Sequence, residues 1–384
     1  MKRSLRVAVA LGIAGGFLIP GLATASADST STDPSSLRVL ATGLHNPRGL
    51  ALADETLYVA QAGLGGGDPT VAGFGYTGSL SAIHLSEEGP ASITTVVDHL
   101  PSAATVEDPT MPPDIVGLDG ISTRGGKIYG IFAGSNAASG LTDPLIGRVA
   151  QISKRKGVTA IADAGAFGLQ WTTDNPQLDP GGQFPDANPY GILADRGGRI
   201  WAIDAGANLL ESVARDGTIT PVAWFPNTAH GDIVPTCVTK GPDGALYIGT
   251  LAFAEFFGFN TPSATVFRVD PSQANPGNVT TLATEWATGL PPTTGCSFGR
   301  NGTFYASLFI AGVGPTGPFG EVLAIPSQTH ADPTTYRHLA TGQLHFPGGI
   351  VATEGGVYVA DNSTSATDGR VVRIADGHPG ESDD

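Results

Sequence analysis

One unit recurs six times along this chain of 384 residues, and the recurrence restricts the fold more than any other feature. Its clearest copy is 188–213. A short apolar run, 191–194, turns at 195–198 into 199–203, and 204–208 turns the chain again into 209–213. Short apolar runs separated by Gly, Asp and Asn clusters mark antiparallel strands joined by tight turns. The other copies begin at Pro47, Leu118, Pro235, Thr294 and Pro347. Each second strand bears an aromatic residue at a matching place: Tyr58, Tyr129, Trp201, Tyr247, Tyr305 and Tyr358 in turn. Third strands are expected at 79–83, 148–152, 209–213, 265–269, 321–325 and 370–374. Five copies continue into a fourth, at 93–97, 158–161, 219–222, 279–282 and 336–339.

The sixth copy has no fourth strand after it. One is available at the other end of the chain, where Leu37–Leu44 (LRVLATGL) closely matches Leu339-Ala340-Thr341-Gly342-Gln343-Leu344. An N-terminal strand that completes the last repeat closes a ring and removes an open sheet edge. Periodic four-stranded units of about 40–50 residues indicate radial blades. The expected fold is therefore all-β: a six-bladed β-propeller over 37–375, closed by its N-terminal strand. An open two-sheet sandwich does not account for six aligned copies.

Residues 1–27 read as a secretory signal peptide: Lys2, Arg3 and Arg6, an apolar run, then Ala25-Ser26-Ala27. The expectation is a secreted, extracellular protein with no membrane segment after cleavage, a flexible leader at 28–36 and a disordered acidic tail at 376–384. Losing three cations takes the formal net charge from −15 to −18. Nucleic-acid binding needs cations against phosphates, so no nucleic-acid partner is expected. The two cysteines, Cys237 and Cys296, lie in the first strands of copies four and five, one position out of register. Alternate residues of a strand face opposite sides, so the two can meet between neighbouring blades. In an exported chain they can form a disulfide, or remain two buried thiols.

Four long connections stand out. Residues 101–116 and 164–187 join a fourth strand to the next first strand, and 61–77 and 308–319 join second to third strands. Loops of that length are often binding elements. The residue ahead of each first strand should point into the central channel: Arg48, Asp119, Tyr190, Thr236, Thr294 and Gly348. With Asn46 and Asn188 two positions earlier, the candidate ligand-binding set is Asn46, Arg48, Asp119, Asn188 and Tyr190. Asn46, Asp119 and Asn188 are also the candidate metal ligands, since oxygen donors suit Ca2+. Against this stands the thinness of the set, with one acid and an arginine able to pair with it. No cofactor signature is evident, and no catalytic residue can be assigned. Asp204 and Asp361 share the end of the second strand in copies three and six, where an Asp ordinarily bonds turn amides.

Several motif matches fail on context. Gly295-Cys296-Ser297-Phe298-Gly299 fits G-x-S-x-G but precedes a hairpin, whereas a nucleophile elbow leads into a helix. Gly312-Val313-Gly314-Pro315-Thr316-Gly317 fits G-x-G-x-x-G, but Pro315 and Pro318 block the helix that would receive a pyrophosphate. The eight histidines show no close pair at ligand spacing.

The stretches 39–44 with Asn46-Pro47-Arg48-Gly49-Leu50, 75–80, Asp174-Asn175-Pro176, Asn188-Pro189-Tyr190-Gly191 and 241–247 resemble the ScyD/ScyE family of secreted proteins. The likeness spans about 37–375 and implies a six-bladed fold and export, with no settled reaction or catalytic residues. Copies two and five depart from the Pro-x-Gly start of that pattern. Two functions compete. One is an exported binding or scaffold module for a small molecule, glycan or protein, using the face that carries 101–116 and 164–187. The other is a Ca2+-dependent lactonase- or esterase-like hydrolase, or a lyase, working in the channel.

Overall fold

In the computed structural model the described residues are 37–85, 91–105, 113–179, 183–229, 231–253 and 261–376. The signal peptide and leader expected at 1–36, and the tail beyond Asp376, lie outside them. The fold is the expected six-bladed β-propeller. Strand β1 (Leu37–Leu44) comes first in the chain, and its place in the ring is last. Blade one holds β2 (Pro47–Ala53), β3 (Thr56–Gln61), β4 (Gly73–His84), β5 (Ser92–Thr105) and β6 (Asp114–Val116). Blade two holds β7 (Leu118–Arg124), β8 (Lys127–Phe132), β9 (Arg148–Ser153) and β10 (Gly157–Asp163), with a short helix α1 (Asn136–Ser139) between β8 and β9. Helix α2 (Ala164–Asp174) leads to blade three: β11 (Pro189–Ala194), β12 (Ile200–Asp204), β13 (Leu209–Val213) and β14 (Ile219–Trp224). Blade four is β15 (Pro235–Lys240), β16 (Leu246–Thr250), β17 (Ala264–Val269) and β18 (Thr284–Leu290). Blade five is β19 (Thr293–Phe298), β20 (Thr303–Gly314), β21 (Gly317–Pro326) and β22 (Arg337–Leu344). Blade six is β23 (Ile350–Thr353), β24 (Gly356–Asp361) and β25 (Gly369–Ile374).

The ring closes as expected. β1 lies antiparallel to β25, from Leu37 opposite Ile374 to Leu44 opposite Gly369, so the open edge of blade six is paired. Each innermost strand packs on the next, and β23 returns to β2. Most of the core lies between blades, where aliphatic and aromatic side chains of adjacent sheets interdigitate. The largest cluster joins blades three to five through Trp201, Ile203, Phe225, Ile248, Phe267, Phe304 and Ile325. Cys237 and Cys296 are bonded between blades four and five, their Cα atoms 5.8 Å apart.

Several expected loops are ordered structure. β4 begins at Gly73 and pairs with β5 as far as Ala104, so much of 61–77 and 101–116 extends the blade-one hairpin. β6 adds a fifth strand, paired with the Ala103–Thr105 end of β5. The expected loop 308–319 is a ladder that reaches Gly314 opposite Gly317. The insert 164–187 opens with α2, whose first amides are capped by Asp163, its side chain accepting from Ala166 N at 2.9 Å. Residues 106–112 and 180–182 of these inserts lie outside the described residues. The fourth strand of blade four is β18, not the expected 279–282. Val279 instead lies against blade three, its carbonyl accepting from Trp224 N at 2.8 Å. Asp376, which was expected in the tail, is held by Arg337 and Tyr305.

Candidate functional site

All six innermost strands line one axial cavity of about 210 Å3. Meander topology puts the β2–β3 and β4–β5 turns, and their counterparts in every blade, on one face of the ring. The connections into each first strand, with the inserts, lie on the other. At the turn face, the ends of the innermost strands (Leu52, Thr123, Leu193, Thr239, Ser297 and Val351) are half-buried. At the insert face the expected channel mouth is a closed floor instead. Arg48 and Asp119 are each 2% exposed and Tyr190 7%. Tyr190 also joins an apolar cluster with Val234, Leu251, Phe253, Phe309 and Ile310 that fills that end.

Three of the five candidate residues meet there. The Arg48 guanidinium donates through Nη2 to the Ile115 carbonyl at 2.8 Å and faces Asp114 Oδ1 at 3.7 Å. Its Nε and Nη1 have no hydrogen-bond partner. Burial weakens its hold on a proton, but Asp119, Tyr190 and Asp114 outweigh that, and Arg48 stays cationic. Asp119 was expected to pair with Arg48, yet it acts on the guanidinium through space. Its Oδ1 accepts from Gly117 N at 2.9 Å, while its Oδ2 has no partner. Burial lifts the Asp119 carboxyl to about 6 against the opposing pull of Arg48 and the Gly117 amide. Burial likewise pushes the Tyr190 hydroxyl up, although Arg48 opposes it. Asp114 is the member that sequence reasoning missed. It sits in an insert, and only the pairing of β6 on β5 returns it to the channel floor.

The other two candidates bind the fold. Asn46 donates from Nδ2 to the Gly63 carbonyl at 2.8 Å, and Asn188 Oδ1 accepts from Gly134 N at 2.9 Å, tying blade three to blade two. Thr236 and Thr294 are also committed. Their hydroxyls donate to the Thr293 carbonyl at 2.7 Å and the Pro347 carbonyl at 2.6 Å, each in the following blade. The proposed set of Asn46, Asp119 and Asn188 therefore does not fit a Ca2+ ion. The Asn188 oxygen is already an acceptor, and a buried guanidinium occupies the floor beside Asp119. Among the described residues no group of three or more His, Cys, Asp or Glu could hold a metal.

Asp204 and Asp361 serve the loops that enter their blades. Asp204 Oδ1 accepts from the amides of Asn188 (2.6 Å), Gly206 (3.0 Å) and Ala207 (3.0 Å). Asp361 Oδ1 accepts from His345 N at 2.7 Å, and its Oδ2 faces Arg370 at 2.6 Å. In blade one Gln61 Oε1 does the same for His45 N at 2.9 Å. Blade three adds a buried acid that no motif announces. Glu211 is 0% exposed with both oxygens unpartnered, and burial beside Asp204 pushes its carboxyl well up. Burial lifts Asp204 to about 7 despite its three amide donors.

No protein-family model matches the chain, and no curated protein does. Solved structures share its architecture. A structural-genomics protein of unknown function from Bacteroides thetaiotaomicron aligns at 11% identity over 89% of this chain and 73% of its own, with a TM-score of 0.52. A luciferin-regenerating enzyme aligns at 10% identity over 88% and 94%, with a TM-score of 0.50. A gluconolactonase from Xanthomonas campestris aligns at 10% over 88% and 89%, with a TM-score of 0.49. At these identities the likeness shows the fold. The chain is a six-bladed β-propeller.

Proposed function

We propose that this protein is an exported binding or scaffold propeller of the ScyD/ScyE type, recognising a small molecule, glycan or protein on its insert face. The carrying observation is how the converging polar groups are used. Asn46, Asn188, Thr236 and Thr294 are spent on backbone groups within and between blades, so the polar groups that converge on the channel serve the fold. Variation is built instead into ordered projections on one face: the β4–β5–β6 extension, α2 and the β20–β21 hairpin. The Cys237–Cys296 bond supports export, since disulfides persist in oxidising compartments.

A channel hydrolase or lyase is the second reading, and one observation favours it. Asp119 is lifted to about 6, has an unpartnered Oδ2 and lies on the wall of the axial cavity, as a general acid or base would. Two arms separate the readings. The intact protein is screened on a glycan array and, with and without chelator, against aliphatic lactones and aryl esters. Asp119→Asn, Tyr190→Phe and a variant with 311–317 replaced by a tight turn are tested beside it. The binding reading expects array binding that the trimmed variant loses and both point variants keep. Turnover abolished by Asp119→Asn while Tyr190→Phe stays folded would replace it with the second.

A further inference from the structure

The net negative charge hides a basic region on the turn face, the face to which the channel's half-buried strand ends belong. Arg124 and Lys127 flank the two-glycine turn between β7 and β8. Lys154, Arg155 and Lys156 form the turn between β9 and β10. Ile128 pairs with Ile152, so the two turns of blade two sit side by side, about 5 Å apart across the ladder. Blade three continues the region with Arg196 and Arg199 in the β11–β12 turn and Arg215 in the β13–β14 turn. A β-carbon on Gly198 would stand 2.0 Å from Arg215 Nε, so that side chain lies over the neighbouring turn. All eight cations are exposed, and among the described residues none of them forms an ion pair with a carboxylate.

Two acids share these turns. Asp195 is held by Lys240 Nζ at 2.7 Å and by Trp201 Nε1 at 3.1 Å, and Asp216 caps Thr218 N at 3.0 Å. Elsewhere on this face the turns are acidic or balanced: Asp54 and Glu55 in blade one, Asp243 with Arg268 in blade four, Arg300 with Glu354 between blades five and six. Among the described residues the longest run of such turn cations is in blades two and three, while blade six adds only Arg38 opposite Arg373 at its edge. Like charges held this close without counterions repel one another, and surface charge of one sign attracts ligands of the other. Between blades three and four a cleft of about 330 Å3 is lined by Arg196, Arg199, Trp201, Ser272 and the Asp195–Lys240 ion pair, whose charges offset each other. Arg199 lies over the Trp201 ring, 5.2 Å from its centre.

We infer that this rim binds a linear anionic polysaccharide, a chain bearing carboxylate or sulfate groups at regular intervals, with one sugar unit seated in the Trp201 cleft. This surface is separate from the insert face and does not depend on the function proposed for it. A row of cations across several turns matches a repeating anion. A membrane would want apolar residues to insert beside the charges. The exposed large apolar side chains, Val39, Val71, Tyr76, Ile93 and Val313, all belong to other turns and strands. Single-stranded nucleic acid would want exposed aromatic platforms, whereas Trp201 is 2% exposed.

The test measures binding of the intact protein to heparin and polygalacturonate, with neutral dextran, phosphatidylglycerol vesicles and duplex DNA alongside. The expected result at about 50 mM salt is binding to both anionic polysaccharides and not to dextran, falling steeply as salt screens the charges. Replacing the five blade-two cations together (Arg124→Gln, Lys127→Gln, Lys154→Gln, Arg155→Gln and Lys156→Gln) should weaken binding at least tenfold. Arg300→Gln, on the same face but across the ring, should change it less than about twofold. These are exposed turn positions, so the variants should fold, which an unchanged melting temperature would verify. Equal binding by the five-site variant, or no binding to either anionic polysaccharide, would overturn the assignment. Tighter binding to vesicles or DNA than to heparin would overturn the choice of partner.

Discussion

Gly49, Gly120, Gly191, Gly295 and Gly349 occupy one position in five of the six innermost strands, and the distance between blades explains them. A β-carbon on Gly120 would stand 2.5 Å from the Tyr190 carbonyl oxygen, and one on Gly191 2.6 Å from that of Thr236. In blade four the same position is Cys237, opposite Gly249 as Gly191 is opposite Ile203. Its side chain enters the gap and is bonded there to Cys296 of the next blade. The one blade without the glycine thus uses the close approach for a covalent link. Glu211 is the residue that costs the fold most visibly, since its ionised form would leave two buried oxygens without partners. Its carboxyl is pushed up by burial and Asp204 is lifted to about 7, so the folded state keeps protons that the unfolded chain releases. Stability is then fully present below about pH 4 and is lost as pH rises through the range where the folded carboxyls ionise, about 7 for Asp204. Glu211→Gln should leave stability nearly unchanged at about pH 4 and raise it by roughly 1–3 kcal/mol at about pH 8. Urea midpoints measured across that range check this, and parallel pH profiles for the two proteins would contradict it.

The outer strands repeat a device of their own. β1, β18 and β22 each carry a glycine in the left-handed region, Gly43 (φ 71°), Gly289 (φ 71°) and Gly342 (φ 75°), where the ladder register shifts. The bulge turns a following leucine inward, and Leu44, Leu290 and Leu344 are all buried. In blade one the same place, just before buried Leu100, is held by His99 at φ 53°. Its neighbouring Asp98 is an exposed partner of little worth. His99→Gly should therefore stabilise the protein by about 0.5–1 kcal/mol, because glycine reaches that conformation without strain. A thermal melt showing a loss instead would mean that the ring contributes more than its backbone costs. The motif also shows what was readable. Ala287-Thr288-Gly289-Leu290 repeats Ala41-Thr42-Gly43-Leu44 and marked β18, but the β-branched run Val279-Thr280-Thr281 matched the strand expectation better on propensity alone. Helix α2 was hidden for a different reason. Gly165 and Gly168 each cost a helix about 1 kcal/mol, and packing overrides that cost. A β-carbon on Gly165 would meet the Gly134 carbonyl oxygen at 2.8 Å, and one on Gly168 would meet Asp204 Oδ2 at 2.1 Å.

For the whole molecule, closure was legible because it repeats and the site was not because it occurs once. Six copies of a pattern, with the missing strand displaced to the other terminus, define a ring without any contact being known. The grouping of Arg48 with Asp114 depends on an extra strand in a single blade, and no periodicity encodes that. The same logic sets what should hold the ring together. Leu37 lies opposite Ile374, so the two ends of the folded region can be joined by a short linker and the chain reopened elsewhere. New termini in the β23–β24 turn, between Glu354 and Gly355, leave blade six built from both ends of the chain, with β23 paired to β24 across the break. New termini between Leu344 and His345 make every blade continuous and leave blades five and six without a peptide link, joined by packing and by interblade bonds such as that from the Thr294 hydroxyl to the Pro347 carbonyl. If the interlocked blade resists opening, the first permutant should melt within about 5 °C of the parent and the second at least about 10 °C below it, each in one transition. Calorimetry distinguishes these outcomes. Equal melting temperatures would mean that interblade packing and the Cys237–Cys296 bond hold the ring by themselves, with the shared blade adding nothing beyond a covered edge.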